Sequence, residues 1–446
     1  MSIPHISLDK KSAVPLYRQL SDAIQSLVAQ GKLATGTKLP SIRQLAYGLD
    51  VNTTTVVSAY RHLEQEMTVY SVVGSGTFVA RQAVKPVADE APMGNIEGFI
   101  NFADTKTDGA LFPVTAFRRA FDAVLDRDGG LAFDCTDSLG YAPLRDSFCN
   151  LLAGCAEPGR IQVISDVRQG LEILANALLS PGDTVFIEKP ASQGAMGAFL
   201  SKRVQIIEMP LAKDGPDFMA LEALIKKHRP KLIYIMPNFQ TPTGITYSNE
   251  SKARLAGLAQ AAGAYIVEED QYSDFYYDGN KRTPLMAVGG KVIYIKGFSK
   301  SLVPGLRMGF MAYPEGMDIP KGDADVPGYF QRGFDLFLRS GAYDLHMANM
   351  RSVYGRRYQK LESAAKTYLA HLADFELPGG GLGLWVMPHM KQERLYIEGF
   401  LQRKVIVSPG RLFSSGDVGG FRINFAAVPE ERIAEGIGII ASVLEA

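Results

Sequence analysis

The sequence predicts a two-domain α/β protein, in which a small helical domain with one β-hairpin precedes a larger domain built on a mostly parallel sheet. Three observations support this prediction. First, hydrophobic residues recur at helical spacing up to residue 66, and two short β-runs follow. Second, residues 83–98 show no hydrophobic period. Third, the remaining chain alternates apolar β-branched runs with helical stretches. The predicted domains are therefore residues 1–82 and 99–446, joined by a linker at 83–98.

The N-terminal domain has the pattern of three helices and a hairpin. Ser41 opens a short second helix and Asn52 can cap a third, while Gly74 and Gly76 punctuate two β-runs in the way a hairpin requires. The apolar face of the first helix, which follows Pro15, consists of Leu16, Leu20, Ile24 and Leu27. Three helices and a hairpin make a winged helix-turn-helix.

The large domain is predicted to be a sheet sandwiched by helices. Near-continuous apolar strands that alternate with helices are typical of a mostly parallel sheet covered on both faces. From about residue 370 the runs LGLWVM and FRINFA mix with helical stretches, which indicates a small C-terminal α+β lobe. The predicted strands are residues 184–188, 204–208, 232–236, 265–268, 292–296 and 308–312.

Charge and composition exclude several classes of protein. The 446 residues hold 47 Lys+Arg and 47 Asp+Glu, which argues against a protein coated in positive potential. Residues 1–82 nevertheless contain eight basic and five acidic residues, a net charge of +3. The first residues lack the apolar core of a signal peptide, no stretch reads as a membrane span, and neither the three Cys nor the six His show metal-ligand spacing. We therefore expect a cytoplasmic protein without a metal site.

The third helix carries the residue types of a DNA-recognition helix. Such a helix presents short polar side chains at its exposed N-terminal end, where base edges are reached, while neighbouring basic residues hold phosphates. A small helical adaptor with merely solvated charges is the alternative. The predicted DNA-binding residues are Arg43, Asn52, Thr53, Thr54, Thr55, Ser58, Arg61, Gly74 and Gly76.

A second candidate site centres on the run GFSKSLVPGLRMGF. Lys300 lies in a turn of small residues, and Arg307 has the planar fork that pairs with phosphate. Asp270 and Tyr272 follow an apolar strand directly, so we expect them at the edge of the sheet where α/β proteins bind ligands. A lysine nucleophile, a carboxylate able to protonate a pyridine nitrogen and a phenol suit pyridoxal chemistry.

The N-terminal motifs resemble those of the GntR family of winged-helix repressors. The resemblance covers residues 14–80, through VPLYRQLSDAI, GTKLPSIRQLA, TTTVVSAYRHLEQE and GSGTFVA. Thr53 stands where the family often has Arg, and Met67 stands where it has Gly. The resemblance implies binding to a double-stranded DNA operator, with a shifted operator preference.

Residues 99–444 resemble the fold-type-I pyridoxal-phosphate aminotransferases, and with the GntR head the whole resembles the MocR-type regulators. The resemblance rests on SLGYAPLR, LLSPGDTVFIEKP, PNFQTPTG, VEEDQYSDF, GFSK with PGLRMGF, and FRINFA. It implies that Lys300 is the Schiff-base and catalytic lysine and that Arg422 binds the carboxylate of an amino-acid ligand. The cofactor-binding residues that it implies are Lys300, Asp270, Tyr272, Arg307, Ser299 and Thr241.

The sequence departs from the family where the cofactor would be cradled. Asp166 stands in place of a Gly in the phosphate cup, Gly297 in place of a Ser, and Ser192 in place of the aromatic residue that stacks on the ring. Thr241 replaces the Asn of the NPTG motif. Stacking and charge-assisted phosphate bonds are each worth about 1–3 kcal/mol, so we expect a weakened affinity for pyridoxal phosphate.

The leading functional hypothesis is a transcriptional regulator whose aminotransferase-like domain senses pyridoxal phosphate or an amino compound bound through it. The resemblance implies a homodimer, which would suit paired half-sites. One alternative is a working aminotransferase that carries a DNA-binding head. Another is a regulator whose large domain has lost the cofactor, as Asp166, Ser192 and Gly297 suggest.

Overall fold

The computed structural model describes residues 6, 8–10, 12, 14–29, 32–33, 36–65, 68–72, 76–79, 96–320, 325–414 and 419–446. The chain divides into two compact units, residues 1–87 and 88–446. Most of the predicted linker lies outside the described residues, so the domain bounds stay predictions. Within the part of the chain that is described, no helix is both long and apolar enough to cross a lipid bilayer.

The N-terminal unit is a winged helix-turn-helix, as predicted. Its apolar residues, among them Leu20, Ile24, Val56 and Leu63, form one buried cluster between the helices and the hairpin. The hairpin is antiparallel, with Val69 opposite Val79. The elements are α1 (Leu16–Ala29), α2 (Ile42–Gly48), α3 (Thr53–Gln65), β1 (Val69–Val72) and β2 (Gly76–Val79).

Short polar residues begin the second and third helices. Ser41 and Gln44 form a capping box at the start of α2, in which each side chain meets the backbone of the other residue. Asn52 Oδ1 accepts a hydrogen bond from the backbone N–H of Thr54 at 3.1 Å, which satisfies a donor at the start of α3. These bonds fix the turn between the two helices.

The large unit alternates strands and helices. Its helices are α4 (Val114–Asp128), α5 (Ala142–Leu151), α6 (Val167–Leu178), α7 (Gln193–Leu200), α8 (Phe218–His228), α9 (Asn249–Ala262), α10 (Gly328–Arg339), α11 (Ala342–Tyr368), α12 (Glu393–Gln402) and α13 (Glu430–Leu444). Its strands are β3 (Ile100–Asn101), β4 (Ile161–Ile164), β5 (Thr184–Lys189), β6 (Gln205–Ala212), β7 (Gly215–Pro216), β8 (Leu232–Ile235), β9 (Tyr265–Glu269), β10 (Val292–Gly297), β11 (Gly309–Ala312), β12 (Ala373–Asp374), β13 (Gly383–Pro388), β14 (Val405–Ile406), β15 (Ser408–Pro409) and β16 (Phe421–Asn424).

Eight of these strands form the central sheet, in the order β4-β11-β10-β9-β8-β5-β6-β7. The five consecutive strands from β10 to β6 run parallel to one another. Strand β11 is antiparallel to both β10 and β4. All six predicted strands are present within a few residues of their predicted bounds. The short edge strands β4 and β7 were not predicted, because neither has an apolar run long enough to stand out from its surroundings.

Helices cover both faces of the sheet. On one face Gly170 of α6 lies so close to Ile295 of β10 that a Cβ on the glycine would come within 2.5 Å of its side chain. On the other face Phe148 of α5 stacks on Phe310 of β11 at 4.4 Å between ring centroids, and Phe334 of α10 packs beside it. Alternate residues of a strand therefore enter different layers of the protein.

The predicted C-terminal lobe is present as a four-stranded antiparallel sheet in the order β12-β13-β16-β15, with α12 and α13. Strand β3, which follows the predicted linker, pairs with β14 next to this lobe. The residues directly after the linker are therefore held against the C-terminal part of the chain.

Candidate functional site

Most of the predicted ligand-binding residues follow strands that end at one edge of the central sheet, whereas Arg307 precedes β11 and Arg422 lies on β16 of the C-terminal lobe. Because β5, β8, β9 and β10 are parallel, their carboxyl ends lie together. Thr241, Tyr272 and Lys300 come within a few residues after β8, β9 and β10 respectively. This is the edge at which the sequence predicted a site.

Lys300 lies half-buried in the turn after β10. Its Nζ donates a hydrogen bond to the backbone oxygen of Thr105 at 2.9 Å, a contact between residues 195 positions apart. The amine also interacts electrostatically with the carboxylate of Glu269. The lysine is thus held between residues 99–108 and the end of β9.

Asp270, the predicted partner of a pyridine nitrogen, is engaged elsewhere. Its Oδ2 accepts hydrogen bonds from Tyr294 at 2.7 Å and Ser273 at 2.5 Å, and it lies 3.8 Å from Lys296 Nζ. Tyr294 and Lys296 alternate with Ile295, so they lie on the face opposite α6. Among the described residues no hydrogen bond or ion pair joins Asp270 to Lys300, and the cofactor role of Asp270 stays a prediction.

Glu269 is a buried acidic residue within electrostatic range of Lys300, and sequence reasoning missed it. The carboxylate is buried and accepts hydrogen bonds from Tyr234 and Gln271. Burial raises the pKa of Glu269, while those hydrogen bonds and the charge of Lys300 oppose the rise. The signal was present in the strand alternation, because neighbouring acids at the end of a strand must point to opposite faces.

Three predicted residues line one open pocket of about 290 Å³, namely Thr241, Tyr272 and Arg422. Arg422 lies on β16, is 9% exposed, donates to Ser408 Oγ at 3.4 Å and lies 5.1 Å from the ring of Phe413. Asn424 and residues 380–383 complete the wall around it. A buried guanidinium in such a pocket is suited to a carboxylate ligand.

Arg307, the predicted phosphate ligand, pairs with a carboxylate of the same chain. Its Nη2 lies 3.2 Å from Asp166 Oδ2 and 3.3 Å from Ser165 Oγ. Asp166 caps α6, since its Oδ1 accepts a hydrogen bond from the N–H of Gln169 at 2.8 Å. The start of α6 and the guanidinium, which are both suited to an anion, converge on Asp166.

The remaining positions of the predicted cradle offer little to a phosphate or ring. A Cβ on Gly297 would lie 3.1 Å from Val167 Cγ2, so the position leaves little room for a hydroxyl-bearing side chain. Ser192 precedes α7 without forming a side-chain cap, and it is half-buried. Ser299 is half-buried beside Lys300. The amine end of the site therefore fits pyridoxal phosphate, whereas its phosphate end holds an acidic residue.

A second buried carboxylate, also missed, lies at the end of β5. Glu188 is 1% exposed and accepts hydrogen bonds from Tyr247 at 2.7 Å, from the N–H of Met236 at 3.1 Å and from Gln240 at 3.1 Å. Burial raises the pKa of Glu188 to about 7, although these hydrogen bonds favour the charged form. It thus supports the loop that carries Thr241.

The predicted DNA-binding residues lie mostly on the surface of the N-terminal unit. Thr55 is half-buried, and Gly76 has a φ of +123° that favours glycine at the start of β2. Gly74 lies outside the described residues. The exposed members of the set are Arg43, Asn52, Thr53, Thr54, Ser58, Arg61 and Gly76.

A winged helix-turn-helix unit joined to a unit with a lysine at the edge of a mainly parallel sheet defines a class, the DNA-binding regulators with an aminotransferase-like domain. The chain belongs to the aminotransferase class I and II family, whose sequence profile matches residues 104–440. Residues 16–79 match the gntR family of bacterial regulatory proteins. The combination is that of MocR-type regulators, so the predicted regulatory function is confirmed, and the gntR match implies DNA binding.

Individual relatives fall into the same two groups. An uncharacterised HTH-type transcriptional regulator of Bacillus subtilis, YisV, is 26% identical over 96% of this chain and 95% of its own length. A 2-aminoadipate transaminase of Thermus thermophilus is 29% identical over 76% of this chain and 88% of its own. A solved structure of Pyrococcus horikoshii kynurenine aminotransferase has a TM-score of 0.73 at 26% identity and covers 78% of this chain and 91% of its own. The predicted fold class is confirmed, and the family implies pyridoxal-phosphate binding.

Proposed function

We propose that the protein is a transcriptional regulator whose large domain binds a pyridoxal-type aldehyde at Lys300 and responds to an amino compound that carries a carboxylate. The observation that carries the proposal is the position of Lys300, which lies half-buried in the turn after β10 at the carboxyl edge of the sheet, with its amine bonded to Thr105 O and within electrostatic range of Glu269. The pocket of Thr241, Tyr272 and Arg422 supplies a place for the effector.

In this proposal, different residues of the site bind different parts of the ligand. When bound, pyridoxal phosphate supplies an aldehyde carbon and an electron-withdrawing ring. Lys300 Nζ would hold the aldehyde carbon, Glu269 would supply a carboxylate close to that lysine, and Arg422 would bind the effector's carboxylate. Tyr272 and Thr241 line the same pocket. Glu269 replaces Asp270 in this assignment, because Asp270 is already bonded to Tyr294 and Ser273.

The hydrogen bond between Lys300 and Thr105 offers a route from ligand to DNA. Thr105 lies shortly after the predicted linker, and Thr107 Oγ1 also donates to Leu302 O at 2.9 Å, close to the lysine. Covalent use of the Lys300 amine changes its hydrogen bond to Thr105. A ligand that occupies Lys300 therefore shifts the population of conformations available to the residues after the linker.

The protein acts on DNA as a homodimer in this proposal. The exposed side chains at the start of α3 read base edges, and Arg43 binds phosphate. A two-fold dimer presents two such helices to paired half-sites, which compensates for the modest charge of each head.

Substitution of Lys300 tests the proposal. We expect Lys300→Ala to abolish the absorbance change that excess pyridoxal phosphate produces in the wild type, because the amine nitrogen can no longer form a C=N bond while the aldehyde oxygen leaves as water. Lys213→Ala is the matched control, since Lys213 is an exposed lysine 3.5 Å from Glu376. A wild-type protein that shows no absorbance change with an excess of either pyridoxal phosphate or its phosphate-free analogue 5′-deoxypyridoxal contradicts the proposal.

A working aminotransferase is the second candidate, favoured by Lys300, Arg422 and the similarity to a 2-aminoadipate transaminase. Incubation of the loaded protein with an amino acid distinguishes the two functions. Conversion of the bound aldehyde to the amine form, reversed by a keto acid, supports an enzyme. We expect slow or absent conversion, because Ser192 and Gly297 provide neither a stacking ring nor a phosphate-binding hydroxyl.

A further inference from the structure

We propose that Asp166 is a ligand-selectivity residue whose carboxylate occupies the place of a ligand phosphate between α6 and Arg307. The domain then gains little affinity from a phosphate and accepts a phosphate-free pyridoxal-type aldehyde. The inference rests on the proposed function, since it requires an aldehyde to bind at Lys300.

Both oxygens of Asp166 are engaged by groups that would otherwise bind an anion. Oδ1 accepts from the N–H of Gln169 at 2.8 Å, and Oδ2 lies 3.2 Å from Arg307 Nη2. A helix N-terminus and a guanidinium are the two elements from which phosphate sites are commonly built. Here the chain supplies the anion itself.

An incoming phosphate would have to displace Asp166 or lie beside it. Displacement removes the N-terminal cap of α6 and the ion pair together. Coexistence brings a phosphate next to a carboxylate, which is a like-charge contact. The side chains of Arg307 and Asp166 are 63% and 39% exposed, so water screens the charges and the effect on affinity is moderate.

The surrounding residues do not compensate for the acidic residue. Gly297 has no hydroxyl, and Val167 Cγ2 lies 3.1 Å from the place where a Cβ on this glycine would be. Ser165 Oγ accepts a hydrogen bond from Arg307 at 3.3 Å, so it also strengthens the hold on Arg307 rather than freeing it. Ser165, Asp166 and Val167, at the start of α6, therefore all disfavour the binding of a phosphate at this position.

A comparison of two aldehydes tests the inference. Pyridoxal phosphate and 5′-deoxypyridoxal, which lacks the phosphate and keeps its aldehyde free, are titrated by absorbance into the full-length wild type, Asp166→Asn and Asp166→Gly. Asn can still cap α6 but carries no charge, so Asp166→Asn separates charge from capping. Asp217→Asn is the matched control, because Asp217 caps α8 of the same unit through Met219 and Ala220.

The measured quantity is the ratio of the two dissociation constants. We expect the wild type to bind the two aldehydes within about tenfold of each other, and Asp166→Asn to tighten pyridoxal phosphate at least about tenfold while 5′-deoxypyridoxal changes less than about threefold. Asp166→Gly should change the ratio in the same direction, and Asp217→Asn should leave it at the wild-type value.

The possible failures are distinguishable. If both aldehydes bind through Lys300 and the ratio is the same in wild type and Asp166→Asn, Asp166 does not select against phosphate and the inference is wrong while the proposed function stands. If neither aldehyde binds any variant, or binding survives Lys300→Ala, the proposed function fails and the inference fails with it.

Discussion

Two adjacent acids, Glu269 and Asp270, illustrate how the environment of a residue decides its role. Asp270 belongs to a buried ionic cluster in which Lys296 lies 2.9 Å from Asp274 and 3.8 Å from Asp270. Burial alone would lower the pKa of Lys296, but the two carboxylates outweigh it and the pKa is raised. Glu269, on the other face, interacts with Lys300. The first acid is part of a buried ionic cluster, and the second is the one for which we propose a role in ligand binding.

Isosteric substitution separates these roles. We expect Glu269→Gln to weaken 5′-deoxypyridoxal binding by about tenfold, because a charge-assisted hydrogen bond is worth about 1.5–3 kcal/mol, and to leave the free energy of unfolding nearly unchanged. Asp270→Asn should lower the free energy of unfolding by about 1–3 kcal/mol through the loss of charge beside Lys296, with binding altered less than threefold. Absorbance titration and urea unfolding of both variants check this. The opposite pattern would assign the ligand to Asp270.

At the scale of elements, the carboxyl ends of the parallel strands collect buried acids. Glu188 is the penultimate residue of β5, Glu269 ends β9, and the charge of Glu269 contributes to the raised pKa of Glu188 after the larger effect of burial. Strand β9 also carries Glu268, whose pKa burial raises to about 7. Ionisation of the buried acids at this edge of the sheet is therefore unfavourable near neutral pH.

The raised pKa of Glu188 makes stability depend on pH. Its ordinary pKa is 4.5 and its folded value is about 7, so between these values the folded state holds more protons than the unfolded state. The free energy of unfolding therefore falls as pH rises through this window and levels off above it. We expect Glu188→Gln to reduce the fall between about pH 5 and pH 7.5 by up to roughly 3 kcal/mol.

Urea unfolding at the two pH values measures the fall in the free energy of unfolding within each variant. A loss of stability that is equal at both pH values therefore cancels from the comparison. Glu222→Gln is the control, since Glu222 is a partly exposed acid paired with Arg254. A Glu188→Gln protein with the wild-type pH dependence would show that Glu188 stays charged in the folded state.

At the scale of the whole molecule, the net charge of zero is a sum over two units with different functions. Residues 1–82 hold eight basic and five acidic residues, while the rest of the chain carries the compensating negative charge. Phosphate contacts by so modest a head are few, so its affinity for DNA depends on direct base contacts.

Arg43 tests the phosphate contacts. We expect Arg43→Ala to weaken binding to a duplex selected by the wild type from a random-sequence pool, and to reduce the slope of log affinity against log salt by about one. Arg18→Ala removes the same charge from an exposed position on α1 and should leave the slope nearly unchanged. Fluorescence anisotropy at several salt concentrations gives the slopes. Equal slopes for Arg43→Ala and the wild type would remove Arg43 from the DNA surface.

The sequence by itself determined the two folds, the strands of the sheet and the position of Lys300. These features depend on local periodicity and on motifs within a few residues, which a single chain displays directly. The structure alone decided which of two adjacent acids interacts electrostatically with Lys300, that Asp166 is paired with Arg307, and that Lys300 is bonded to Thr105. Those contacts join residues far apart in sequence or depend on which face of the sheet a side chain lies on. Only the packing of the sheet determines which distant residues meet and which face each side chain occupies.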